Sequence, residues 1–346
     1  QPRKVGSMMT RINRLILLGT LALLFGCPED LAEDLDEKPP YVYPYDDQLR
    51  LHHVQVKGTH NSYHLEPEAP VHDSHRYSHL ALNDQLESQG VRAFELDLHY
   101  SDSESPIQVL HLGLVDEETT CPTFVGCLEI IRGWSNDNPQ HLPIMVWIEM
   151  KTVIGDAKQE ALTLVETRIS SVFRDSQLLK PNDVKGEYTS IREALSTEGW
   201  PTLGEIRGRV TFILLSSDHT NAYLQLHPNG EGGLLFPNAS VHQFNEPWAA
   251  ITKFNDPKSL NGITYALENT ILIASNICGA DMSDEDCETN LQAGLDNGVM
   301  MLKDDFPAKV STRDYWLDIP GGNPARCNPK TAPEICVSEA LENRNY

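Results

Sequence analysis

Residues 92–100 read Arg92-Ala93-Phe94-Glu95-Leu96-Asp97-Leu98-His99-Tyr100. From Phe94 to Leu98 apolar and acidic side chains alternate, the period of an extended strand in which residues i and i+2 share a face. Glu95 and Asp97 therefore point together, and Phe94, Leu96 and Leu98 point away. Two carboxylates side by side at a strand end repel each other, so one is protonated or a cation lies between them. Working outward, similar apolar runs occupy 54–57, 107–111, 144–151, 210–216, 271–276 and 299–303. Between them lie helical patterns. In 156–174, Ala157, Ala161, Val165, Ile169 and Val172 recur at spacings of three and four, a core-facing stripe. The others are 80–89, stopped by Gly90, 123–134, and 284–297, stopped by Gly298. Alternating strands and helices predict a parallel sheet with helical crossovers. The expectation is an α/β fold, an irregular (β/α)8 TIM-type barrel forming a single domain over 50–318. Chemistry in such a barrel sits at the C-terminal ends of the strands.

Several runs do end in chemically useful residues. Gly58-Thr59-His60-Asn61-Ser62-Tyr63-His64 follows the first, His111 closes the 107–111 run, and Glu149 and Lys151 close 144–151. Two histidines, three carboxylates and an amide at strand ends describe a site, and hard oxygen donors suit Ca²⁺ or Mg²⁺ better than zinc. Lys151, two residues after Glu149 and on the same strand face, is placed to contact a substrate phosphate. The pairs His60-x3-His64 and His75-x3-His79 raise a zinc reading, which the lack of a His-Glu-x-x-His motif disfavours. The acidic run 281–288 lacks the glycine of an EF-hand loop and reads as a solvated loop.

The order Gly58-Thr59-His60-Asn61-Ser62, then Gly90-Val91-Arg92 leading into Glu95-x-Asp97, then His111 and Glu149, resembles the catalytic barrel of calcium-dependent phosphoinositide-specific phospholipase C. The bacterial, secreted members are the nearest in pattern, over roughly residues 50–310. The resemblance implies a phosphoric diester hydrolase that cleaves phosphatidylinositol-type phospholipids. It implies His60 and His111 as catalytic residues and Asn61, Glu95, Asp97 and Glu149 as calcium ligands. Asp97 stands where the metal-independent enzymes of this fold carry an arginine, which implies the calcium-dependent branch. Two rivals remain. One is a glycerophosphodiester phosphodiesterase or phospholipase D-like enzyme of the same barrel, whose first motif usually reads His-Arg. The other is a lipid-anchored binding module without turnover.

Charge fits a metal-assisted site. The chain has 346 residues, with 27 Lys+Arg against 50 Asp+Glu, a net charge of −23. That excludes sequence-independent nucleic-acid binding and argues against docking on anionic lipid through a polybasic patch. A phosphate must be brought in by something other than net charge, and a divalent cation would do so.

Lys4, Arg11 and Arg14 precede a short apolar run at 15–26 that ends at Cys27, the pattern of a secretory signal. Leu24-Phe25-Gly26-Cys27 resembles a lipoprotein box, so residues 1–27 read as a signal peptide and Cys27 as a lipidation site. Residues 28–49, acidic and Pro-rich, read as a tether. The mature chain is expected to carry no transmembrane span, to be a monomer, and to be secreted across the inner membrane and held at the cell envelope or outside it. The six cysteines after Cys27 suggest disulfides Cys121–Cys127, Cys278–Cys287 and Cys327–Cys336, the last stapling a C-terminal extension over 319–346.

Overall fold

In the computed structural model, residues 41–151, 155, 157–215, 217–321 and 324–342 are described. The signal peptide, Cys27 and residues 28–40 lie outside them. The strands are β1 (Val54–Thr59), β2 (Ala93–His99), β3 (Gln108–Val109), β4 (Ile144–Lys151), β5 (Val210–Leu214), β6 (Leu235–Pro237), β7 (Ile251–Phe254), β8 (Leu272–Cys278), β9 (Met301–Asp304) and β10 (Ala325–Cys327). Eight of them run parallel in the order β6-β5-β4-β2-β1-β9-β8-β7, and an Asn238–Ile251 bridge joins the two ends. This is the TIM-type α/β barrel, nearly closed.

The expected helices are present at Leu82–Glu87, Phe124–Asp137, Ala157–Val172 and Asp284–Asn297. Gly298 ends the last of them at φ 84°, a left-handed conformation that glycine adopts without a Cβ penalty. That helix begins inside the acidic run. Asp284, Glu285 and Asp286 fill its first turn, where carboxylates complement the exposed N–H groups, so only the run's first residues are loop. Each face of β2 and β4 goes to a different core. Phe94, Leu96 and Leu98, with Ile144, Val146 and Ile148, pack against Phe124–Asp137 and Ala157–Val172. Ala93, Met145 and Trp147 face the other way, into the barrel.

Three expectations are corrected. First, the 107–111 run is not a barrel strand: only the two-residue β3 forms, antiparallel to the end of β2 through Leu98–Val109 and His99–Gln108. His111 lies in the loop beyond it, folded back over the rim. Second, residues 41–49 are part of the folded body, with Tyr43 and Leu49 buried and Asp46 in a two-pronged ion pair with Arg207 at 2.6 and 2.7 Å. The stretch read as a tether narrows to 28–40. Third, the C-terminal segment is built into the barrel, because β10 pairs antiparallel with β1 along Val54–Val56. β6, β7 and β10 carry three or four residues each, too few for a sequence period to register. The three expected disulfides all form.

Glu342 locks that segment down. Its carboxylate takes both arms of the buried Arg92, which immediately precedes β2, and accepts Leu142 N–H at 2.9 Å. Burial works to raise the Glu342 carboxyl, but Arg92 outweighs it and holds it below its ordinary 4.5. Removing one partner of such a pair strands a buried charge and costs about 3–5 kcal/mol. Glu342→Gln should therefore lower unfolding free energy by about that much near pH 7, read by urea denaturation. With the folded carboxyl held low, this contribution is complete above about pH 4.5 and is lost as the pH falls below it. The wild type and variant should thus converge in acid.

Candidate active site

The turn after β1 is locked to β2 before any chemistry is considered. Ser62 N–H donates to Glu95 O at 2.9 Å, and Ser62 Oγ accepts from Glu95 N–H at 2.8 Å. Gln85 Nε2 donates to Ser62 O at 2.6 Å and His79 Nε2 to His60 O at 2.8 Å. Asn61 takes φ 42° within this turn, is buried, and has its amide beside the Tyr77 hydroxyl. Glycine at 58, three residues before Asn61, avoids crowding, since a Cβ there would lie 3.0 Å from Ala93 Cβ and 3.1 Å from Lys303 Cγ.

Register then assembles the carboxylates. β2 and β4 pair Asp97 with Glu149 and His99 with Lys151. Glu95, Asp97 and Glu149 each place one carboxylate oxygen within 4.8 Å of the others. Three negative charges this close need compensation, and lysines provide it. Lys151 Nζ lies 3.1 Å from Asp97 Oδ2 and 2.9 Å from Glu149 Oε1, so its charge is taken up by the carboxylates. Glu95 Oε2 is paired with Lys303 and lies 3.4 Å from Lys253. Burial lifts Asp97 to about 6, with Glu149 adding to it and Lys151 opposing. Burial lowers Lys253 to about 8 and Lys303 to about 7. Burial also works against the Lys151 ammonium, but Asp97 and Glu149 raise it above the ordinary value.

Both histidines are backed by an aspartate that the motif reading did not single out. His60 Nδ1 lies 3.0 Å from Asp305 Oδ1, while its Nε2 is 3.7 Å from Glu95 Oε1. Asp305 Oδ2 in turn accepts Ala280 N–H at 2.9 Å. His111 Nδ1 lies 2.7 Å from Asp116 Oδ2. Asp116 reaches it because Leu112 and Asp116 exchange backbone hydrogen bonds at 3.0 and 2.9 Å, closing a turn through Leu114 at φ 73°. Burial lowers His111 and Asp116 opposes that; Lys151 and His60 also act on it, which puts both histidines and the carboxylates in one electrostatic site. His64 and His75 gather on Asp116 as well, at 2.8 and 3.5 Å, so the i, i+4 spacings His60–His64 and His75–His79 do not form metal sites.

The donor set fits calcium. Three carboxylates converge, and the fully buried Asp97 meets the Lys151 ammonium at 3.1 Å with its oxygens otherwise poorly satisfied. Hard oxygen donors in a flexible arrangement are what Ca²⁺ selects. A family model described as phosphoinositide phospholipase C, Ca²⁺-dependent, matches residues 49–106 and 101–329. The chain belongs to that family. It is accordingly a calcium-dependent phosphoric diester hydrolase of phospholipase C type, acting on phosphatidylinositol-type phospholipids. No curated protein matches the chain by sequence search. Among solved structures, the chain is similar in fold to a Ca²⁺-dependent phosphatidylinositol-specific phospholipase C from Streptomyces antibioticus. The TM-score is 0.58 at 18% identity, covering 75% of this chain and 95% of that one. A calcium-dependent enzyme from Pseudomonas sp., in a myo-inositol complex, gives a TM-score of 0.59 at 14% identity over 82% and 97%. None of the helices among the described residues is long and apolar enough to cross a membrane.

Asp97→Asn removes a buried negative charge from the carboxylate cluster while keeping the side chain's shape. The expected result is a large loss of calcium affinity by titration calorimetry, with the unfolding midpoint in calcium-free buffer near pH 7 unchanged or raised, because burial already disfavours this charge. A fall in stability comparable to the fall in affinity would instead make Asp97 a structural residue.

Proposed function

We propose that the phosphodiester is cleaved between two histidines, each oriented by its own aspartate, over a calcium site formed by Asn61, Glu95, Asp97 and Glu149. The observation that carries this reading is the pairing of His60 with Asp305 and of His111 with Asp116 beside the carboxylate cluster. With Nδ1 of each ring committed to a carboxylate, Nε2 is left for the substrate, and the aspartate stabilises the imidazolium form. Bound calcium supplies positive charge against the phosphoryl oxygens and makes a coordinated hydroxyl more acidic.

The protein's own groups supply the rest. His60, beside Glu95, hydrogen-bonds the phosphoryl oxygens where negative charge grows, and the Glu95 carboxylate shares in accepting the nucleophile's proton. His111, on its folded-back loop, delivers a proton to the leaving alkoxide. Lys151, paired with Asp97 and Glu149 in the calcium-free site, would be released by calcium on those carboxylates to add positive charge toward a bound phosphate. Attack by the inositol's own hydroxyl yields a cyclic inositol phosphate, and detection of that product separates this chemistry from direct hydrolysis by a glycerophosphodiesterase.

Removing either histidine should cost on the order of 10²–10⁴ in rate on the natural substrate. A substrate releasing a low-pKa phenolate needs little protonation, so with it His111→Ala should recover much of its loss and His60→Ala should not. Equal recovery of both, or recovery of His60→Ala alone, would reverse or merge the two roles.

Three disulfides fit an oxidising compartment outside the cytosol. We infer in addition export by the 1–27 signal and anchoring through a lipidated Cys27. Cys27→Ser should shift the protein from the membrane fraction to the soluble one with its barrel folded; unchanged membrane association would remove the anchor.

A further inference from the structure

We propose that His75, His111 and Asp116 form a second metal site, selective for a divalent cation of the zinc type, whose occupancy withdraws His111 from catalysis. One ligand atom from each residue lies within 4.8 Å of the other two. His111 Nδ1 and His75 Nδ1 are 2.7 and 3.5 Å from the same oxygen, Asp116 Oδ2. Ligands bound tetrahedrally at about 2.0–2.1 Å stand roughly 3.3 Å apart, so only small shifts would seat an ion among them. The two imidazole rings meet nearly at right angles, 86° with centroids 5.5 Å apart. They approach a shared point from two directions and do not stack.

A second observation points to a ligand. His75 is 5% exposed, and its buried Nδ1 makes no hydrogen bond. At 3.5 Å, Asp116 Oδ2 is too far for a good one. A buried ring nitrogen held only by so long a contact is costly, and an ion would satisfy it. Asp116 is itself positioned, because His64 Nε2 lies 2.8 Å from its other oxygen, the outer support that carboxylate ligands usually have. Two imidazole nitrogens and one carboxylate oxygen suit zinc, whereas the all-oxygen cluster of Glu95, Asp97 and Glu149 suits calcium. His111 is partly exposed, which leaves a fourth position open to water.

Binding would displace the Nδ1 proton of the His111 imidazolium, the form that acts as the acid, to solvent, since imidazole ligates only as the neutral ring. The metal-bound ring keeps its Nε2–H, but that group is a far weaker acid than an imidazolium, and Asp116 no longer supports a positive ring. Protonation of the leaving alkoxide would stop. This effect on turnover rests on the general-acid reading of His111; the binding itself does not.

The test uses the whole protein with calcium saturating. Zn²⁺ is titrated by calorimetry, Co²⁺ is titrated by visible absorption, and phosphatidylinositol hydrolysis is followed at each zinc level. The expected result is one zinc equivalent, a four-coordinate cobalt spectrum, and activity falling in step with occupancy. Losing a partner that merely orients a ligand costs about 10–100-fold in affinity, so His75→Ala and His75→Gln should weaken zinc by at least about 10-fold. Inhibition should shift by the same factor, each variant being compared with its own zinc-free rate. Asp97→Asn should leave zinc affinity as it is. Absence of binding, or unchanged zinc affinity in both folded His75 variants, would overturn the site while leaving the general-acid assignment standing. Stoichiometric binding that His75→Ala abolishes, with undiminished turnover, would overturn the inhibition and that assignment together.

Discussion

Repulsion among Glu95, Asp97 and Glu149 at the mouth of the barrel is the constraint around which the site is arranged. A parallel register of β2 on β4 forces Asp97 against Glu149, and a strand cannot turn one of them away without turning its apolar neighbours outward. Compensation comes from one of these strands and from two others. Lys151 comes from β4 itself, Lys253 from β7 and Lys303 from β9, so the charge balance of the site links staves that are distant in sequence. Lys303 also sits 5.1 Å from the centroid of Trp147, whose ring face attracts the ammonium. Gly58 belongs to the same arrangement, because without its missing side chain β1 could not lie against both Ala93 and Lys303.

Much of this was legible from single residues. The alternation at 93–98 and the continuous apolar run at 144–151 give two adjacent strands, and the polar ends of the runs give Glu95, Asp97 and Glu149. What escaped has physical causes. β6 and β7 are short and lie where the barrel closes by a single bridge, so neither carries a full period. His111 looked like a strand end because Gln108 and Val109 are extended, but they pair antiparallel on the tip of β2 and outside the ring of staves.

Asp116 and Asp305 are two among fifty acidic residues, and nothing in their immediate sequence distinguishes them from surface carboxylates. Asp305 differs only in lying two residues beyond the last apolar run, directly after β9, where a barrel places its chemistry. Asp116 left only its distance of five residues from His111 across Gly113, a turn whose closure depends on backbone bonds that sequence does not display. The histidines show the same divide. Spacing raised, and the lack of a His-Glu-x-x-His motif disfavoured, a pairing of His60 with His64 and of His75 with His79. The fold instead gives His79 a carbonyl to hold and sends His64 and His75 to one aspartate.

The antiparallel pairing of β10 with β1 has a consequence for how the molecule is made. β1 is among the first parts of the barrel to leave the ribosome, yet its neighbours β9 and β10 are among the last, more than two hundred residues later. Contacts across so long a loop form late and slowly. Until the segment that includes Glu342 has been synthesised, the growing chain presents an unclosed sheet with Val54 and Val56 unpaired on that side. The nascent protein is thus held back from its native state by its own topology, for as long as translation of the barrel lasts.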